Sequence, residues 1–158
     1  MSKEHLSPAN VMVLVQRDDG RILAVRHSST SKTSPNQVTV IGGKLERDEF
    51  LDEGALRELH EEAGVRVAHE DLEFCQTVHY RGPDGLRVIG VVFTAQRWQG
   101  EPRNAEPHKH KSILWIDPGN PPADCHPYTR QVLANFMAGR LYGNITVPAS
   151  GGGHDGLS

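Results

Sequence analysis

Residues 42–65 read GGKLERDEFLDEGALRELHEEAGV, and both the fold and the chemistry of this chain turn on them. Asp48 to Ala63 contains no proline and is rich in helix formers, so most of this run is predicted to be helix. Carboxylates crowd around a single arginine along it. Glu49, Asp52 and Glu53 come first, then Arg57 with Glu58, Glu61 and Glu62. At about 100° per residue, Glu58, Glu61 and Glu62 fall within about a third of the helix circumference. Ala55, Leu56, Leu59 and Ala63 form the adjoining stripe and are expected to face a core. Acids at i, i+3 and i+4 repel one another by about 0.2–0.5 kcal/mol per pair, and a cation would offset that. A hard divalent ion with oxygen ligands, Mg²⁺ first, is the natural candidate. The plain alternative is a solvated acidic helix face.

The longer spacing decides between these. Gly43, then Glu49, then Arg57-Glu58-Leu59, Glu61-Glu62 and Gly64-Val65 fill every defined position of a known pattern, and the stretch resembles the Nudix box. The resemblance implies an α/β fold, the Nudix-type α/β/α sandwich with a mixed β-sheet. It implies hydrolysis of a diphosphate linkage with Mg²⁺ as cofactor and Mn²⁺ as a substitute. It also implies that Glu58, Glu61 and Glu62 hold the metal, joined by the Gly43 carbonyl. One of these glutamates, Glu58 and Glu61 being candidates, would act as base. Arg57 would orient the carboxylates by pairing with Glu49 and with a ligand glutamate. Two positions depart from the common pattern: Ile41 stands where many members have proline, and Asp48 where many have glycine. Both are flanking or free positions, so they leave the metal site intact and point to no subfamily.

A second, shorter segment, Asn104-Ala105-Glu106-Pro107-His108-Lys109, resembles the N-x-E-P-x-K segment of small MutT-like nucleotide hydrolases. It implies that a late loop brings Glu106 to the substrate site. Lys44, just past the glycines, is a further candidate for phosphate. Each has an ordinary alternative as an exposed loop residue. His108 and His110 lack further ligands at metal spacing and read as solvated loop histidines; His60 occupies a free position of the box and needs no role. Trp115 reads as core rather than as a stacking platform.

The rest of the chain bounds these readings. A length of 158 residues fits one domain with a sizeable core, here residues 1–147, and the tail 148–158, PASGGGHDGLS, reads as disordered. A net charge of −3 gives no basic field for a nucleic-acid polymer. Cys75 and Cys125 match no metal or redox spacing and read as buried thiols of a reducing compartment. The N-terminal MSKEHLSPAN lacks an apolar signal core, and no apolar run is long enough to span a membrane. A cytoplasmic protein without membrane partners is therefore expected. Many Nudix relatives dimerise, which leaves a homodimer open.

In chain order, residues 1–9 read as a lead and Val11–Val15 as a central strand buried on both faces. Asp18-Asp19-Gly20 is a turn into a returning strand over Arg21–Arg26. His27–Gln37 is a loop, Val38–Ile41 a short strand, and Gly64 a helix C-cap. Leu72–Tyr80 and Leu86–Arg97 read as strands, 99–112 as a loop and Ile113–Ile116 as a strand. Tyr128–Leu141 reads as a helix with Val132, Leu133, Phe136, Met137 and Leu141 on its buried stripe. Strand–strand–helix–strands–helix fits a mixed sheet between helices. The expected substrate is a small-molecule diphosphate, first a nucleoside triphosphate, modified or oxidised forms included. A nucleotide sugar or other organic diphosphate is the alternative, and a non-catalytic module of the same fold is the alternative of another class. The loops 27–37 and 99–112 are expected to choose the substrate.

Overall fold

The apolar run at the start of the chain becomes the middle strand of the molecule. In the computed structural model, which describes residues 3–148, β1 (Ala9–Val15) is fourth of seven strands. Val11, Val13 and Val15 enter one core while Met12 and Leu14 enter the other, so the strand needs apolar side chains at every position. The remaining strands are β2 (Ile22–His27), β3 (Val38–Lys44), β4 (Leu72–Arg81), β5 (Arg87–Ala95), β6 (His110–Ile116) and β7 (Tyr142–Thr146). Across the sheet they stand in the order β6-β2-β3-β1-β5-β4-β7. β1 pairs with β5, and β4 with β7, in parallel; the other pairs are antiparallel, so the sheet is mixed.

Two helices cover the sheet. Helix α1 (Leu51–Ala63) buries Ala55, Leu59 and Ala63 against Val11, Val13, Leu23 and Ile41. Helix α2 (Pro127–Ala138) buries Val132 and Leu133 against Leu14, Val40, Val78 and Val92 on the opposite face. This is the α/β/α sandwich. Burying one fully covered Leu or Val side chain contributes about 1.5–3 kcal/mol, and the two cores hold eight and seven such residues. Trp115 packs against the α1-side core, as expected of it, with the Arg17 guanidinium 4.6 Å above its ring.

Several boundaries differ from the sequence expectation. α1 takes up most of the run Asp48–Ala63, as expected, and begins at Leu51 because Asp48 adopts a left-handed conformation with φ 67° that no helix interior accepts. α2 stops at Ala138, where Gly139 turns left-handed at φ 70°. Met137 and Leu141, placed on its buried stripe, are instead exposed. The exit after it forms β7, a strand the sequence reading did not include, which adds in parallel to β4. β1 begins at Ala9, within the expected lead, and β6 begins at His110, within the expected loop. The tail from Ala149 onward lies outside the described residues.

One polar network fixes α2 to the sheet. Gln76 of β4 and Asn135 of α2 are 0% and 2% exposed. Gln76 Nε2 donates to the Val132 carbonyl at 2.9 Å, and Asn135 Nδ2 donates to Gln76 Oε1 at 3.1 Å. Gly143 of β7 has no Cβ to strike the Asn135 amide. Asn135→Ala is expected to destabilise the fold by about 1–3 kcal/mol in urea unfolding, because Gln76 Oε1 is left buried and unpaired. A change under about 0.5 kcal/mol would mean that the network is not held in solution.

Candidate active site

The end of β3 and the face of α1 meet at the two glycines. Gly42 and Gly43 pair with Met12 and Val11 of β1. A Cβ on Gly42 would strike the Val11 carbonyl, and one on Gly43 would overlap the Glu58 carboxylate. Glycine is required here because backbone and carboxylate approach too closely for any side chain. Gly43→Ala is expected to push Glu58 aside, lowering kcat/KM about 100-fold while leaving the unfolding midpoint nearly unchanged. Steady-state kinetics beside a thermal melt separates this from simple unfolding.

The turn between β3 and α1 delivers Glu49. Asp48 supplies the left-handed residue, a conformation Asp tolerates better than most. Glu49 then folds back, its Oε1 accepting the Glu46 amide at 2.8 Å. Gly54 leaves room for it, since a Cβ there would stand 2.9 Å from Glu49 Oε1. At the helix start Phe50 has no side-chain acceptor, and Glu53 Oε1 instead accepts the Phe50 amide at 2.7 Å.

Arg57 is the hub. Its Nε and one terminal nitrogen grip both oxygens of Glu49, at 2.9 and 2.7 Å. The same terminal nitrogen donates to the Lys44 carbonyl at 3.0 Å. The other reaches Glu58 Oε2 and Glu61 Oε1, each at 3.1 Å. The side chain is 20% exposed and that of Glu49 14%, so this fork is screened little by water. Its neighbours drive the Arg57 pKa upward and hold Glu49 below the ordinary carboxylate value, the hydrogen bond between the two being the first cause of each shift. The structure thus joins Arg57 to Glu49, Glu58 and Glu61, the pairing expected from sequence.

The three acids of the helix face differ in environment. Glu61 is open to water, with 46% of its side chain exposed, whereas that of Glu58 is 12% exposed. Glu62 is buried, and its pKa is pushed well above the usual value. Burial is the leading cause, followed by the hydrogen bond and the charge from Glu58, then the charge of Glu106; the Gly42 amide pulls the other way.

Glu106 reaches this group because its loop docks on the end of α1. The Arg103 amide donates to the Ala63 carbonyl at 3.0 Å and the Ala105 amide to the Glu62 carbonyl at 3.1 Å, which satisfies carbonyls the helix end leaves free. Gly64, left-handed at φ 69°, leaves space for the Arg103 guanidinium. Asn104 braces the loop, donating to the His110 carbonyl at 2.8 Å and accepting the Glu106 amide at 3.3 Å. Glu106 is itself 18% exposed, and Lys109 stands 3.6 Å away.

These residues line one cleft of about 720 Å³. Gly43, Lys44, Arg57, Glu58, Glu61, Glu62 and Glu106 all reach it, so every residue expected at the site is brought together. Among the described residues no three His, Cys, Asp or Glu side chains converge tightly enough to enclose an ion by themselves. His27 and His110, within the stretches 27–37 and 99–112 expected to choose the substrate, also line the cleft, as does Thr39, which was not expected there. His110 corrects the expectation of a solvated loop histidine. It lies on β6, 4% exposed, its ring Nδ1 has no partner, and burial lowers its pKa to about 4. His108 is exposed, as expected. Only the pairing of β6 with β2, which sets His110 opposite His27, could have given this signal.

Comparison with known proteins bears on the same residues. The family model described as a NUDIX domain matches residues 6–136. A MutT-like protein of Streptomyces ambofaciens is 29% identical over 113 residues, which cover 72% of this chain and 66% of that protein, just under two thirds of its length. The 8-oxo-dGTP diphosphatase of Escherichia coli (strain K12) is 28% identical over 115 residues, 70% of this chain and 85% of that enzyme. The crystal structure of a MutT NUDIX hydrolase from Burkholderia pseudomallei superposes with a TM-score of 0.73, at 24% identity, covering 82% of this chain and 98% of that one. That likeness establishes the fold.

Proposed function

We propose, from the premise that this chain belongs to the Nudix family, that it is a Mg²⁺-dependent pyrophosphohydrolase cleaving the diphosphate linkage of a small nucleotide. The observation that carries this is Glu62: a carboxylate 5% exposed, set beside Glu58 and Glu106, with no cation among the described residues on it. Such a crowd is costly to ionise unless something positive arrives. The donor set fits a hard divalent ion. Carboxylate oxygens of Glu58, Glu61 and Glu62 and the Gly43 carbonyl are the groups that would hold it. Mg²⁺ keeps several waters and takes only a few protein ligands plus substrate phosphates, so no closed protein cage is needed. Mn²⁺ has the same ligand preferences and is the expected substitute.

When bound, the metal supplies charge neutralisation for phosphate oxygens and acidifies a water. The protein does the rest. Arg57, anchored by Glu49, keeps Glu58 and Glu61 aimed into the cleft. Glu61 and Glu58 stand as candidates to accept the proton of the attacking water, and Lys44 to contact phosphate. Attack breaks one P–O bond of the anhydride and releases two phosphorylated products, the leaving phosphate carrying the bond's electron pair. Glu106 adds a fourth acid at the same end of the cleft and is assigned here to the substrate side of the site.

A nucleoside triphosphate, oxidised or otherwise modified forms included, is the favoured substrate. The Escherichia coli relative's activity and the N-x-E-P-x-K segment support it. A nucleotide sugar is the alternative within the class. A non-catalytic module is disfavoured by retention of every acid of the box. The two free thiols fit a reducing cytoplasm; no helix among the described residues is long and apolar enough to cross a membrane. The test is a panel of ordinary and modified nucleotides and nucleotide sugars with Mg²⁺, products identified by mass. Release that stops with chelator is expected, of phosphate or pyrophosphate from a nucleoside triphosphate and of a sugar phosphate with a nucleoside monophosphate from a nucleotide sugar. No release from any member would overturn the proposal.

A further inference from the structure

We infer that His27, Thr39 and His110 form the specificity wall of the cleft, and that this wall takes an uncharged, hydrogen-bonding ring carried by the substrate beyond its diphosphate. The inference rests on the diphosphate reading above. The chemistry is shared by two sources, the edge of a nucleobase and a sugar.

Geometry comes first. The His27 ring nitrogen Nε2 lies 2.8 Å from Thr39 Oγ1. The His27 and His110 rings meet edge to face, centroids 5.1 Å apart and planes at 85°. Their backbones are tied by the β2–β6 pairing, and the Ser28 amide donates to the Lys109 carbonyl at 2.9 Å, so the wall is part of the sheet rather than a mobile loop. His110 Nδ1 is buried with no partner. Buried polar atoms are nearly always paired, and of the orphans among the described residues only this one belongs to a residue that lines the cleft, which singles out His110 as a side chain a ligand would satisfy.

The lining also excludes other occupants. Among the described residues no Phe, Tyr or Trp side chain reaches the cleft, and Leu45 is its one aliphatic residue, so neither a prenyl tail nor a stacked platform is served. The wall carries no charge either. Burial lowers the pKa of His27 and His110, which keeps both imidazoles neutral. Arg57 is fully engaged, Lys109 is paired with Glu106, and Lys44 is assigned to the phosphates, so an anionic group against the wall would compete with the diphosphate for its cation. A neutral imidazole offers one donor and one acceptor, which matches a ring that offers both. The hydroxyls of Ser28 and Thr30, 2.9 Å apart on the facing loop, add further donors and acceptors.

The experiment measures dissociation constants by calorimetry on the full chain, with Ca²⁺ in place of Mg²⁺. The probes are GTP, GDP-mannose and inorganic tripolyphosphate. Wild type is expected to prefer a ring-bearing probe over tripolyphosphate. His110→Leu and Thr39→Val are each expected to shrink that preference about tenfold. Under turnover with Mg²⁺ the same variants should raise KM for the ring-bearing probe more than they change kcat. Tight binding of both guanine probes assigns a nucleobase; binding of GDP-mannose alone assigns a sugar. Thr39→Val is nearly isosteric, so it answers the question even where His110→Leu fails to fold. No preference in wild type, an unchanged preference in Thr39→Val, or an equal loss on all three probes would overturn the inference. Absence of turnover with the binding preference intact would overturn only the hydrolase reading.

Discussion

Glu62→Gln is expected to give a protein that folds more firmly without metal and turns over at least about a thousandfold more slowly. The two effects have one origin. Glu62 is 5% exposed, and burial together with Glu58 and Glu106 raises its pKa well above the ordinary value of 4.5. Below about pH 4.5 the group is protonated in both folded and unfolded chains. Above that, the unfolded chain releases the proton first, so it binds fewer protons than the native state. Stability therefore falls as pH rises through the folded pKa. Metal-free wild type should be less stable at pH about 8 than the glutamine variant, by on the order of 1–3 kcal/mol, while near pH about 4.5 the gap should close. A bound cation reverses the ranking, since Mg²⁺ at a hundredfold its dissociation constant adds about 2.7 kcal/mol to a protein that binds it. Urea unfolding in chelator and in Mg²⁺, at both pH values, reads all of this. A glutamine variant that was less stable than wild type in chelator at the higher pH, or that kept near-normal turnover, would remove Glu62 from the metal site.

The legible part of this molecule is the part whose order is local. Val11–Val15 showed its double burial because an uninterrupted apolar run admits no other placement. The acidic face of α1 was legible because helical spacing alone brings Glu58, Glu61 and Glu62 together, whatever the rest of the chain does. Arg57 and Glu49, eight residues apart, could be paired through the box pattern, and they meet. What could not be read depends on partners distant in sequence. β7 is a five-residue strand containing Gly143 and Asn144, both poor strand formers, and it exists because the edge of β4 accepts it. His110 looks like a loop residue until β6 is paired with β2, which carries it inside. Leu141 continued an apolar stripe, but Gly139 ended the helix before it. The site's metal end is thus written in one helix, whereas the placing of His110 beside His27 is written in strand pairing, so the stretches 27–37 and 99–112 could be pointed to but these two rings could not.

Arg57→Ala is expected to damage both the fold and the rate, and Arg57→Lys to separate them. Arginine here makes five hydrogen bonds to side chains and backbone around a 20%-exposed site: two to Glu49, one each to Glu58, Glu61 and the Lys44 carbonyl. Alanine removes all of them and leaves Glu49, Glu58 and Glu61 as neighbouring acids that have lost their shared guanidinium. Breaking a largely buried pair from one side costs about 3–5 kcal/mol, and the partial exposure here argues for the lower end. Lysine restores one positive charge but not the planar fork that grips both Glu49 oxygens while reaching Glu58 and Glu61. Arg57→Lys should therefore recover most of the stability lost in the alanine variant. Its turnover should stay low, because the helix carboxylates lose their aim even with the charge present. Magnesium affinity, measured by calorimetry, should fall in both variants, and saturating Mg²⁺ should not restore kcat. The contrast matters because a purely electrostatic role for Arg57 predicts that lysine rescues stability and rate together. Full recovery of kcat in Arg57→Lys would show that charge, and not the fork, prepares the acids of this cleft.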